Sequence, residues 1–201
     1  MNRRGLIKLG GAALAASQVG RLGAADLKRL KVGVISDEVS DDFEAALRFL
    51  QRYGLRYVEV RTVWETYITE ADDCMVRKAR ALLDKYRMIV PVMDTAYLKT
   101  TLPGTQIIEI DPAQFRPLSL PYGDQPALLE RSLARAKDLG APSIRIFSFW
   151  RTADPLSLLD PMAEHLARAA EIAARQKVSV LLENEHSCNV CTAEETAAIF
   201  N

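Results

Sequence analysis

The sequence predicts an α/β fold, a (β/α) barrel of which about five strand–helix units are present. Three observations point there. Short β-branched runs alternate with amphipathic stretches from Lys31 onward, the order of a parallel sheet made of right-handed βαβ units. Acids and arginines gather where the runs end: Asp37 and Glu38, Glu59 and Arg61, Asp94, Arg151, and Glu183 with Glu185 and His186. Chemistry at the carboxyl ends of several strands is the barrel pattern. A doubly wound dinucleotide-binding sheet would carry G-x-G-x-x-G after its first strand, whereas "VISDEVSDDF" stands here and no P-loop occurs.

Each element has a local reason. "KVGVIS" (31–36) reads as the first strand. Asp41 with Glu44 three residues later forms a capping box ahead of a helical face of Phe43, Leu47 and Leu50. Gly54 ends that helix, and "RYVEVRTV" (56–63) reads as the second strand. A charged helix over about 69–87 leads to "MIVPVMD" (88–94), a third strand interrupted by Pro91. Residues 95–125 form a long connection with Pro103, Pro112, Pro117 and Pro121, in the manner of a lid or binding loop, with Lys99, Arg116 and Tyr122 as possible contacts. Leu129, Leu133 and Ala136 mark the next helical face, Gly140 its end, and "SIRIFSFW" (143–150) the fourth strand. Asp160 caps a helix with Pro161 in its first turn and a stripe through Met162, Leu166 and Ala173. "VSVLLE" (178–183) is the fifth strand. Thr192 and Glu195 make a capping box, so a further helix starts there. A full barrel needs eight strands and ~250 residues; the expectation is the first five βα units of a longer protein.

The chain divides at about residue 28. "MNRRGLIKLGGAALAASQVG" opens with Arg3-Arg4, passes through a short apolar run and ends in small residues, the grammar of a signal peptide too short to span a bilayer. Its arginine pair resembles a twin-arginine export signal, which implies a periplasmic protein; the bland alternative is a flexible amphipathic N-terminus. Residues 29–201 form the partial barrel. Lysine plus arginine and aspartate plus glutamate number 26 each. No basic stripe is present, which argues against nucleic acid as partner. No stable membrane insertion is expected, and a homo-oligomer is left open.

"YVEVR" ending the second strand, "IRIFSFWR" ending the fourth and "LLENEH" ending the fifth together resemble the xylose isomerase-like TIM barrels, the sugar phosphate isomerase/epimerase family, over residues 31–201. The resemblance implies a (β/α)8 TIM barrel with a divalent metal (Mn, Zn, Mg or Co) in its mouth. It implies Glu183 as one ligand, with the remaining ligands and the main catalytic carboxylate beyond Asn201. It also implies a small-molecule sugar substrate that is isomerised or epimerised through an enediolate. Glu59, His186, Arg151 and Trp150 are the substrate-binding candidates, the arginine for oxygens and the indole as a wall for a sugar face. Each has a bland alternative: Glu183 paired with Arg145 or Arg151, Glu59 in a rim salt bridge with Arg61, His186 an exposed loop residue. His165, between Glu164 and Arg168 on a helix, reads as surface.

Cys188 and Cys191 form a C-x-x-C directly after the fifth strand, with Cys74 the one other cysteine. A structural zinc site joins two separated ligand pairs, and a thioredoxin-like pair follows an early strand. Neither pattern is met, so the thiols are read as incidental, with a local disulfide open to an exported protein. Two other readings compete: an inactive barrel fragment without catalysis, and a metal-dependent hydrolase or lyase on the same scaffold.

Overall fold

The computed structural model describes residues 30–108 and 120–201. The segment read as a signal, with Pro112, Arg116 and Pro117, lies outside the described residues. β1 (Gly33–Ile35) runs into a single helical turn, α1 (Ser36–Val39). α2 (Phe43–Arg52) is capped by Asp42, whose carboxylate accepts from the backbone of Glu44 at 2.9 Å and Ala45 at 3.2 Å. The cap is therefore one residue later than the Asp41 expected from spacing, because Asp42 is the residue with extended φ/ψ before the first turn. The stretch read as one strand over 56–63 divides. β2 (Tyr57–Glu59) stays in the parallel sheet, while β3 (Thr62–Val63) turns back on β4 (Thr66–Tyr67) as an antiparallel hairpin. Its turn residues Trp64 and Glu65 both have positive φ, 48° and 63°, as a two-residue hairpin turn requires.

α3 (Asp73–Tyr86) is capped by Asp72, and β5 (Met93–Asp94) follows. α4 (Gln125–Leu139) ends on Gly140, whose left-handed φ of 71° favours glycine. β6 (Ser143–Ile146) is shorter than the strand expected over 143–150. α5 (Leu159–Arg175) begins ahead of Asp160, which sits inside the first turn rather than at the cap. β7 (Ser179–Leu182) and α6 (Ala193–Ile199) complete the order, and the Thr192–Glu195 capping box is formed with both hydrogen bonds.

Parallel neighbours follow chain order. β1 pairs with β2, and β5 with β6 and β6 with β7. Parallel bridges Tyr57–Ile89 and Val60–Met93 join β2 to the β5 segment, and the register slips by one residue between them, across Pro91–Val92. A doubly wound sheet reverses its order at a switch point; a barrel does not. This is the barrel order, as predicted, and it is open: β1 and β7 do not pair with each other among the described residues.

Strand alternation then assigns two faces. Val58, Val60, Met93, Ile144 and Ile146 are fully buried against the helices, with Leu47, Leu50, Leu83, Leu133 and Ala173 in the same core. The partners in register, Ile35, Glu59, Asp94, Arg145 and Leu181, point to the other face, the barrel interior. That interior carries charge at the carboxyl ends of the strands, with the apolar Ile35 and Leu181 in register beside it. Ile89 and Leu181 there are 45% and 43% exposed. Among the described residues no helix is long and apolar enough to cross a membrane.

Candidate active site

At the carboxyl ends of the strands the interior residues meet. Arg145, in the middle of β6, is flanked by β5 and β7. Its guanidinium is ion-paired with Glu183 and stands 3.4 Å from Asp94 Oδ2, and it lies 4.8 Å over the Phe147 ring. The Glu183–Arg145 pair follows from register: Arg145 opposes Leu181, so Glu183 is its diagonal neighbour on the same face. Asp94 has no exposed side-chain surface, and neither carboxylate oxygen has a hydrogen-bond partner among the described residues. Burial, offset in part by Arg145 and reinforced by the charges of Glu59 and Glu183, pushes its pKa up to about 7.

On the β1–β2 side, Arg61 does not pair with Glu59. Its Nε donates to Asp37 Oδ2 at 2.9 Å and its Nη2 to Glu38 Oε1 at 2.5 Å. Burial works against that charge, but the two carboxylates more than offset it and leave the guanidinium pKa raised. Tyr67, on the hairpin, lies within the fields of Arg145, Arg61, Asp94 and Asp37, and burial raises its pKa.

The rim is stitched by backbone. Phe147, Phe149 and Trp150 donate to the carbonyls of Tyr97, Leu98 and Thr100, and Arg151 donates to Ser187. Leu98 and Phe149 hold φ of 63° although both are buried, strain of the kind stored where loops are aimed. Sequence reading missed Asn189. It is fully buried; its Oδ1 accepts from the backbone and hydroxyl of Thr152, and its Nδ2 donates to Trp150 O. It also missed His165, which is no simple surface residue: its ring packs edge-on against Tyr122 and Phe149 at 5.6 Å and 5.2 Å.

Glu185 accepts from Ser187, lies 2.8 Å from His186 Nδ1 and 3.4 Å from Lys99 Nζ. Burial pushes its pKa up, but these partners more than offset it and hold it below the ordinary range. Lys99 in turn lies 4.4 Å over Phe147 and 5.5 Å over Trp150. The His186 side chain is 71% exposed, and Trp150 is buried beside Phe147 and Cys188. Arg151 grips Glu195 through both Nη atoms, at 2.7 Å and 3.2 Å, and donates to the carbonyls of Cys188 and Asn189. It acts on the mouth through the loop it holds. Hydrogen bonds from Arg151 and from the backbone of Thr192 and Cys191 outweigh burial and hold Glu195 at about 2. All three cysteines are free thiols. Burial, with the Glu185 charge, pushes Cys188 up to about 12, which makes it a poor nucleophile and ligand.

Comparison with protein families matches residues 47–201 to the xylose isomerase-like TIM barrel. The chain belongs to that family. Similar folds include the zinc-bound IOLI protein (TM-score 0.60, 13% identity, covering 85% of this chain and 58% of that one). A xylose isomerase-like TIM barrel protein from Mycobacterium smegmatis in complex with magnesium gives TM-score 0.58, 11% identity, and coverage of 85% and 60%. D-psicose 3-epimerase in the presence of D-fructose gives 0.58, 17%, and coverage of 85% and 59%. The chain thus spans about three fifths of the length of these structures. No curated protein matches it.

The zinc of the IOLI protein and the magnesium of the Mycobacterium smegmatis protein raise the question of a metal here. Among the described residues no three of His, Cys, Asp and Glu stand together to hold one. Glu183 offers a single carboxylate, already engaged by Arg145. These residues do not by themselves fit a metal.

Proposed function

We propose that this xylose isomerase-like chain forms part of an enzyme that isomerises or epimerises a small sugar or sugar-like carbonyl compound. The observation that supports this reading most is the convergence of Glu59, Asp94, Arg145 and Glu183 at the strand ends of a family barrel. Carboxylates in this setting suit proton abstraction beside a carbonyl. The base takes the proton, the C–H electron pair moves into a new C=C bond, and the carbonyl π pair moves to oxygen as the enediolate. The proton returns to the opposite face in epimerisation, or to the neighbouring carbon in isomerisation. Glu59 and His186 are assigned to substrate hydroxyls, Trp150 to the wall, and Arg151 to holding the loop that carries His186.

In the whole protein Glu183 is assigned as one ligand of a divalent ion (Mn, Zn, Mg or Co), whose chemistry is to polarise a carbonyl and its adjacent hydroxyl. The proton steps above are drawn from the side chains alone, because the described residues do not complete that site. We also assign the Arg3-Arg4 segment to twin-arginine export into the periplasm; replacing both arginines with lysine should trap the precursor in the cytoplasm, and unaltered export would refute it.

The deciding experiment incubates the whole protein with a panel of ketoses and aldoses in D2O, with and without added Mn. Deuterium should enter at the carbon next to the carbonyl. No exchange with any sugar would overturn the proposal. Separately, Glu183→Gln should weaken metal binding at least tenfold in equilibrium dialysis; unchanged binding removes Glu183 from the ligand set.

A further inference from the structure

Resting on the assignment of His186 to a substrate hydroxyl, we infer that Glu185 is the positioning residue of that histidine. It takes the Nδ1–H and leaves Nε2 to accept a hydrogen bond from the substrate. The observation behind this is a carboxylate fixed from several sides. Glu185 lies in the loop after β7, where its N–H donates to Val190 O at 3.0 Å and its carbonyl accepts from Cys188 N at 2.8 Å. Its side chain is 14% exposed, against 71% for His186. Oε1 accepts from the Ser187 backbone at 3.2 Å, and Oε2 accepts from the Ser187 hydroxyl. Lys99 Nζ stands 3.4 Å from Oε2 and 4.4 Å over the Phe147 ring. The loops after β5, β6 and β7 thus all bear on one carboxylate.

His186 Nδ1 lies 2.8 Å from Glu185 Oε1. An ionised carboxylate only accepts, so the ring nitrogen facing it carries the proton. In a neutral imidazole the other nitrogen, Nε2, then holds the lone pair. An exposed pair of mobile side chains gains little from such a contact, because both must be held in one geometry. Here one partner is already held: both Glu185 oxygens are tied by Ser187, and Lys99 adds to Oε2. The consequence is selectivity. A lone pair at Nε2 accepts from a hydroxyl, whereas a carbonyl oxygen offers only lone pairs of its own. His186 therefore reads a C–OH group of the sugar, and the carbonyl end is left to the groups at the strand ends. If Glu185 served only to staple the Ser187 turn, the imidazole would populate both tautomers, so the tautomer separates the two roles.

The test is long-range 15N–1H correlation spectroscopy of the whole protein at pH 8, above the ordinary imidazole range. The His186 ring signals are assigned by their loss in His186→Ala. Nε2 should be the predominantly unprotonated nitrogen. In Glu185→Gln, whose amide donates as well as accepts, that preference should fall severalfold. Kinetics are read with the fastest-exchanging sugar of the D2O panel. Glu185→Gln should raise KM severalfold with kcat nearly unchanged, the pattern of a lost uniform contact. It should add nothing further in the His186→Ala background. A protonated Nε2 in the unaltered protein overturns the inference, whatever the variants do. So does a tautomer unmoved by Glu185→Gln, or a KM effect that persists without His186. If no sugar of the panel exchanges, the functional proposal falls and the substrate contact with it, while the spectrum still decides whether Glu185 sets the His186 tautomer.

Discussion

Asp94 carries the largest conflict between a residue and its surroundings on the floor of the mouth. It has no exposed side-chain surface, no hydrogen bond to its carboxylate among the described residues, and Arg145 at 3.4 Å. Its pKa in the fold is pushed from 3.8 to about 7. A raised carboxylate binds its proton more tightly in the folded state. Its contribution to stability is complete below the unfolded value and is lost as pH rises through about 7. Asp94→Asn should therefore be favourable at pH 8 relative to pH 4, with the difference on the order of a few kcal/mol. Urea unfolding of both proteins at the two pH values checks this; parallel pH profiles would contradict it. Glu195 has the opposite sign. Held at about 2 chiefly by Arg151, it contributes stability above the ordinary carboxylate range and loses it as pH falls toward 2. Arg151→Ala should cost about 2 kcal/mol at pH 7, read from the denaturation midpoint. A neutral outcome would show that the loop stands without this clamp.

At the scale of elements, the hairpin β3–β4 holds the clearest local strain. A reversed two-residue turn asks for positive φ at both positions, and here Trp64 and Glu65 adopt it without glycine or asparagine. Trp64 is retained for its contacts: its ring meets Phe43 edge-on at 5.8 Å, and Lys78 Nζ lies 4.0 Å over it. Glu65 is exposed and has no such contact. Glu65→Gly should stabilise the chain by about 1 kcal/mol through relief of the left-handed conformation, visible as a rise in Tm. A fall would show that the lost unfolded-state restriction outweighs the strain. The hairpin could not be read from "RYVEVRTV", whose β-branched run continues unbroken past Glu59. The division comes from pairing: Thr62 meets Tyr67 in an antiparallel ladder, while β2 stays parallel to β1.

For the whole molecule the consequence of an open barrel is wet apolar surface on the inner face. Ile89 and Leu181 are 45% and 43% exposed on that face, and β7 pairs with β6 alone among the described residues. Exposed apolar patches beside unpaired strand edges favour self-association. Residues 31–201 expressed alone should associate at micromolar concentration, and Ile89→Thr with Leu181→Thr should raise the monomer fraction severalfold. Light scattering after size exclusion reads both. A monomeric parent chain would show that this face is covered in solution.

What the sequence determined by itself is what depends on near neighbours along the chain. The alternation of β-branched runs with helical faces predicted parallel strands and helices. The Thr192–Glu195 capping box lies within four residues and formed as read. The acids and arginines at the ends of the runs located the mouth. Arg145 was legible as one of two possible partners of Glu183, but its place between Asp94 and Glu183 was not, because these come from other strands and reach it through register. The Asp41–Asp42 choice needed backbone angles, and the occupancy of Arg151 by Glu195 needed the return of the chain after β7. Local spacing follows from the helix and strand repeats. Which charge meets which across the barrel mouth follows from pairing between strands far apart in the chain, and only the tertiary structure decides that.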